Sequence, residues 1–491
     1  MGYPKPFSKT KLLRIENIGE RKMTEYDDVS PLDYRYYKGE PELFKILKPL
    51  ASEEAYIKYE LKVEAALVKA MAKIGICTQK IADEVEKACE KVTAQEVYKE
   101  EEKTQHNIRA LVNCIKSKLS NKAKPYVHLF ATSSDIIDTA TAIRLKDLCR
   151  QVLLPNLKEL ERILIRIARD TQDIVQIGRT HGQHAEPITF GFAVAEYVDR
   201  IGNCFEKIKR AAQNLRGKIS GAVGAYNAFS LVSERYGVNP EAFEEKVLEQ
   251  LDLKPGKYST QIVEPEYLSD LVYAVISCFS VLANLCDDIR HLYRTEIGEV
   301  TKKLEKGRIG SSTMPHKINP WNFEHVKSMW KAFMPRIVTV FMDQISEHQR
   351  DLTNSASNRF VIEIFVSFIH SVNRLIISLG KIEVNTENIK HNLELSKDKI
   401  VAEPLYILLS VCGHPDGYGC VRKLLAKAKQ SGQKLNKLMW EDSEIKPYID
   451  KFTHKERGIL QDPKKYIGEA KRKTEKICSF WEDALFPLKK R

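Results

Sequence analysis

Four segments concentrate small, polar and ionisable residues between stretches of apolar helical periodicity. Gly307 to Pro320 holds two glycines, two prolines, the Ser311-Ser312 pair, His316, Lys317 and Asn319. Hydroxyls, free amides and an ammonium on a glycine-rich loop can hold a carboxylate or lower the cost of an oxyanion. The same composition also suits a solvated inter-helix connector. Gly178 to Pro187 places Arg179, His181, His184 and Glu186 close together. The three-residue spacing of the histidines allows a metal pair on a helix, but Gly182 and Pro187 argue against a regular helix, and no third ligand follows at a metal spacing. Imidazole titrates near neutrality, so a general acid or base is the better use. Val127 to Asp135 ends in Thr132-Ser133-Ser134-Asp135, a string that can cap a helix through Ser134 or Asp135, or bind an anion with the same amides. In His348 to Arg359, Arg350 and Arg359 bracket Thr353, Asn354, Ser355 and Ser357. That set suits phosphate or carboxylate, and equally a polar helix start.

The elements holding these segments read as helices. Glu53 to Ile74 is amphipathic, and polar helices follow to about Ser120. Thr139 to Arg169 forms a long helix that Pro155 is expected to kink. Phe190 to Arg216 and Pro265 to Lys303 give two more, and Phe360 to Leu379 a nearly all-apolar one, with Gly380 as its C′ glycine. Helices apolar on more than one side call for a bundle whose faces are covered by other subunits. The expectation is all-α, with a helical domain over 1–132, a central long-helix bundle over 133–385 and a smaller helical domain over 386–491.

With 491 residues, 43% hydrophobic and 29% charged, the composition is that of a globular protein with a large core. No secretory signal pattern opens the chain, and the longest apolar run, Leu271 to Cys286, is too short and too interrupted to span a bilayer. Ten cysteines without CxxC pairs read as reduced thiols in a cytoplasm. The net charge of +12 is spread over helical faces without a compact basic run, which disfavours nucleic acid and suits a small polyanionic substrate.

Taken together the segments resemble the fumarase/aspartase superfamily over nearly the whole chain. The run GSSTMPHKINP is similar to its signature, and GRTHGQHAEPITFG, KTQHNI, ATSSDIIDTA, YSTQI, SPLDYRY and QRDLTNSASNR resemble the accessory segments of the adenylosuccinate lyase family. The resemblance implies a homotetramer around a shared helical core, with active sites built from three subunits and no cofactor or metal. The implied reaction is β-elimination of fumarate from a phosphorylated dicarboxylate: adenylosuccinate, giving AMP, or succinyl-aminoimidazole-carboxamide ribotide, giving AICAR.

It also implies roles. Ser311 takes the base position on a loop acting as a lid, and Ser312, Lys317 and Asn319 hold the carboxylate on which charge develops. His181 is the general acid. His106 and His128 line the site beside Gln105 and Asn107, and Thr132 and Ser133 contact the fumarate carboxylate. Arg35, Tyr36, Ser355 and Arg359 bind phosphate, Arg350 and Gln261 make further polar contacts, and Glu324 orients a histidine. The chain departs from the family at Asn107, where aspartate is usual, at His325, where asparagine is common, and around Val263-Glu264-Pro265, which lacks basic residues. His316 disfavours argininosuccinate lyase and fumarase. Carboxymuconate cycloisomerase shares that histidine but needs no phosphate site.

Overall fold

The computed structural model describes residues 30–302, 314 and 316–487. Ser311 and Ser312 lie outside the described residues.

After a short π-helical turn, Leu32–Tyr36, the chain runs through α1 (Pro41–Ala51), α2 (Glu53–Lys73), α3 (Gln79–Lys91), α4 (Ala94–Thr104) and α5 (Asn107–Ser117). α2 begins where the Ser52 side chain accepts the Ala55 amide, and its apolar stripe is buried from Ala55 to Met71.

The long helices follow: α6 (Ser133–Leu148), α7 (Leu154–Asp170), α8 (Phe190–Gln213) and α9 (Glu266–Leu292). Between α6 and α7, residues Cys149–Leu153 widen into a π-helical turn. Pro155 lacks an N–H and crowds the carbonyl four residues back, so the wider turn absorbs its misfit without breaking the helix. α9 ends at Leu292, about ten residues short of the expected Lys303, and the chain turns through Gly298 (φ +56°) into strand 300–302.

Beyond it come α10 (Trp321–Phe333), α11 (Arg336–Met342), α12 (Val361–Leu379), α13 (Thr386–Ile400), α14 (Ala402–Val411), α15 (Gly417–Ser431) and α16 (Ala470–Leu485). Gly380 closes α12 with a right-handed φ of −64°, so the helix stops without the left-handed cap expected there.

α8 packs against α7 and α9, α10 against α9 and α12, and α16 returns from the end of the chain to lie along α8. Gly202 permits that return: a Cβ there would stand 2.3 Å from the Trp481 ring, whose Nε1–H donates to Asp199 at 3.0 Å. One apolar core joins α1 through α12 with Cys478, Trp481 and Leu485 of α16, and a second, over 401–460, belongs to the C-terminal residues alone. α9 and the stretch Ser357–Leu379 are long and apolar enough to cross a membrane, but 67% and 61% of their apolar windows are buried inside the fold. They are core helices. All ten cysteines are free.

Among the described residues, strands occur only as three two-stranded pairs, so the fold is all-α with small β additions.

Candidate active site

Three clusters hold the candidate residues. The first is a wall built on α2 and α6. His128 Nδ1 lies 2.6 Å from Oε1 of the fully buried Glu64, and the His128 amide donates to Oε2 at 3.1 Å. Burial disfavours the imidazolium, but the Glu64 carboxylate outweighs it and raises the His128 pKa. Thr132 is the N-cap residue of α6, and Asp135, one of the two candidates for satisfying free amides there, completes the capping box by accepting the Thr132 amide at 2.7 Å.

The buried Asp135 carboxylate also takes the ammonium of the buried Lys218 and the amides of Ser220 and Gly221, both at 3.2 Å. Ser220 Oγ meets Ser259 Oγ at 2.8 Å. One turn beyond Asp135, Asp138 accepts the Val263 amide at 3.0 Å, and the Gln261 amide donates to the Gln349 carbonyl at 3.3 Å. Asp135 acts electrostatically on His128, and Arg350 on Asp138, so His128, Thr132, Gln261 and Arg350 gather along one wall. Burial pushes the Asp138 carboxyl up to about 6, against the pull of Lys218 and Arg350. Arg359, though exposed, is close enough to act electrostatically on Tyr56 of α2.

The second cluster carries Arg35 and Tyr36. Tyr36 packs against His325 and His370, with ring centroids at 5.4 and 5.0 Å. Here α10 delivers Glu324, half-exposed and 3.9 Å from Arg290, and Asn319 lines a small cavity with Tyr293, Thr301 and Ser378.

The third is a β-hairpin, the form taken by the histidine-rich loop. β1 (Val175–Thr180) and β2 (Gln183–Thr189) are antiparallel, with Thr180 opposite Gln183. The two-residue turn, His181 (φ +53°) and Gly182 (φ +74°), is of the kind that suits strand twist and needs positive φ at both positions. Strand β1 is fixed by the fully buried Glu299, which accepts from Arg179 at 2.7 Å, Gln176 at 2.5 Å and Asn392 at 2.8 Å.

His184 bonds Ser396 at 2.7 Å, while His181 stands exposed at the tip with no hydrogen-bond or ion-pair partner among the described residues. The two histidines do not converge on a metal position. Among the described residues the one set of approaching metal-ligand types is His414, Cys420 and Glu444, in the 401–460 unit. His414 Nδ1 there already accepts the Asp416 amide at 3.1 Å.

Gln105, His106, Lys317 and Ser355 are exposed, and Asn107 is half-buried. His106 caps α5, its Nδ1 accepting the Arg109 amide at 3.3 Å, which leaves Nε2 facing outward. Seven described non-glycine residues have left-handed φ, and five of them, Gln105, His128, Phe130, His181 and His348, fall in the candidate segments. Such conformations persist only where the surroundings impose them, and they gather at functional sites. The supports Glu64, Lys218, Asp138 and Glu299 were not singled out from sequence, and Asp135 was read there only as a helix cap. A charged residue inside an otherwise apolar helix stripe, such as Glu64 between Val63 and Ala65, is the one local signal they carry.

The architecture is one that known lyases share. A family model described as Lyase matches residues 35–333, and one described as Adenylosuccinate lyase C-terminal matches residues 346–455. An adenylosuccinate lyase of Pyrococcus abyssi is 35% identical over 93% of this chain and 98% of the relative. One of Aquifex aeolicus is 30% identical over 87% and 95%. The 3-carboxy-cis,cis-muconate lactonizing enzyme of Pseudomonas putida superposes with a TM-score of 0.77 over 90% of this chain and 97% of its own, at 23% identity, and shares the fold. The chain belongs to the adenylosuccinate lyase family.

Proposed function

We propose that the chain eliminates fumarate from adenylosuccinate, giving AMP, and from succinyl-aminoimidazole-carboxamide ribotide, giving AICAR, in purine biosynthesis. The observation that carries this is the match of the Adenylosuccinate lyase C-terminal model over residues 346–455, a stretch that includes Gln349–Arg359, on a chain whose first half carries the Arg35–Tyr36 turn. A cycloisomerase of the same fold needs no such paired cationic elements.

In this reading Ser311 removes the proton beside the carboxylate, and the charge that develops there is held by Ser312, Lys317, Asn319, Thr132 and Ser133. As the C–N bond breaks, His181 delivers a proton to the departing nitrogen. The Glu64 carboxylate keeps His128 oriented, and Gln105, His106 and Asn107 border the substrate. Arg35, Tyr36, Ser355 and Arg359 take the phosphate, with Arg350 and Gln261 on the wall beside it, while Glu324 orients a histidine. The reaction requires neither metal nor cofactor.

We further propose a homotetramer with shared sites and the domain division 1–132, 133–385 and 386–491. An exposed catalytic histidine at a hairpin tip is completed only by neighbouring chains. Val338, Phe341, Met342 and Ile345, 45 to 76% exposed, offer an apolar face for that contact.

Purified protein given adenylosuccinate without added metal is expected to release fumarate and AMP. No turnover of it alongside turnover of a muconate or of argininosuccinate would overturn the assignment. Ser311→Ala should retain substrate binding and lose turnover by at least about 10³-fold.

A further inference from the structure

His325 sits in a cluster that ties the Arg35–Tyr36 turn to the helix following the signature segment. Glu40 precedes α1, four residues after Tyr36, and its side chain is turned inward. Asn373 Nδ2 donates to Glu40 Oε2 at 2.9 Å, His370 Nδ1 lies 3.2 Å from the same oxygen, and Arg374 Nε is 3.7 Å from Oε1. The fully buried His370 in turn meets His325 of α10, Nε2 to Nε2, at 3.4 Å. The Tyr36 ring rests on both imidazoles.

Three elements distant in sequence therefore converge under one tyrosine. Burial, reinforced by Arg374 and His370, holds His325 down to about 4, so it serves as a neutral packing and hydrogen-bonding group and not as a cation. Burial alone would raise the Glu40 carboxyl, but His370, Asn373 and Arg374 bring it below the usual range, so the anchor is an anion. An asparagine at 325 could offer an amide but no ring face to Tyr36.

We propose that Glu40, His370 and His325 are positioning residues that hold the Arg35–Tyr36 turn for the substrate phosphate, and so set the preference for a phosphorylated over an unphosphorylated ligand. This rests on the reading of Arg35 and Tyr36 as phosphate contacts.

The test compares AMP and adenosine as competitive inhibitors, together with KM and kcat for adenylosuccinate. The proteins compared are the full-length wild type, Arg35→Ala, His325→Asn, His325→Phe and Glu40→Gln. For His325→Asn and Glu40→Gln, AMP affinity is expected to fall by about 10-fold, with KM rising in parallel, adenosine affinity unchanged and kcat within about twofold. His325→Phe, which restores the ring, should recover most of the AMP affinity. Equal losses for AMP and adenosine, or no loss of either, would overturn the positioning role. If Arg35→Ala itself leaves the AMP-to-adenosine ratio unchanged, the phosphate reading fails and the proposal with it. If only the Glu40 and His325 variants leave it unchanged, the proposal alone fails.

Discussion

Glu299 is a buried carboxylate whose side-chain donors among the described residues are the Arg179 guanidinium and the Gln176 and Asn392 amides. Removing one partner of a buried ion pair leaves the other uncompensated, which costs about 3–5 kcal/mol. Glu299→Ala should therefore lower the melting temperature by many degrees, and activity should fall further at temperatures where the protein remains folded, because the hairpin bearing His181 loses its anchor. A melt unchanged from wild type would show that water replaces the carboxylate at no cost. Glu60 behaves differently. It is 1% exposed, and burial raises its carboxyl to about 8 against the pull of Tyr56 and Arg144. In the unfolded chain it ionises near 4.5, so between about 4.5 and 8 the native state holds a proton that the unfolded state has lost. Stability contributed by this group is thus greatest below that window and falls as pH rises through it, by up to about 5 kcal/mol. Glu60→Gln, neutral throughout, should melt above wild type at pH 8, and the gap should close near pH 4.5. A gap independent of pH would mean that Glu60 is ionised in the fold.

At the scale of elements, the hairpin shows how a short backbone feature presents His181, the proposed general acid. Gly182 has open space where a methyl would sit but a φ of +74°, so Gly182→Ala meets no clash and costs only backbone strain, about 1 kcal/mol. Because relaxing that strain displaces the His181 tip, kcat should drop well beyond what a small shift in melting temperature accounts for; parallel melts and initial rates check this. The hairpin was not legible in the sequence, since Gln183 to Thr189 carries no alternation of apolar and polar residues and its partner strand is short. α9 was legible because Leu271, Val272, Val275, Ile276, Phe279 and Leu282 recur at helical spacing and are all buried. Its early end was not, because what stops it is the return of the chain to place Glu299 against Arg179, a contact 120 residues long in sequence. The candidate site could be proposed from sequence where chemistry is concentrated in a few adjacent residues, as in Thr132 and Ser133. It was hidden where one buried carboxylate gathers distant groups, as Asp135 gathers Lys218, Ser220 and Gly221.

For the whole molecule, the proposed assembly has a consequence that counting can test. His181 projects from the tip of its hairpin, and Lys317 is likewise exposed without a side-chain hydrogen-bond or ion-pair partner among the described residues. The apolar face around α11 is open as well, with Met342 65% and Ile345 76% exposed. If one site draws Ser311 from one chain and His181 from another, Ser311→Ala and His181→Ala chains complement each other on mixing. Each site in a random assembly then needs its serine donor to be a His181→Ala chain and its histidine donor to be a Ser311→Ala chain. Those are independent choices of one half each, so an equimolar mixture should recover about a quarter of wild-type activity per site. Were both residues supplied by the same chain, every site would keep one lesion and the mixture would stay as inactive as its parents. Met342→Asp adds a second arm, since a charge set in the apolar face should yield smaller species in sedimentation and abolish the complementation. Complementation that persists in the dissociated species would show that this face does not hold the shared site together.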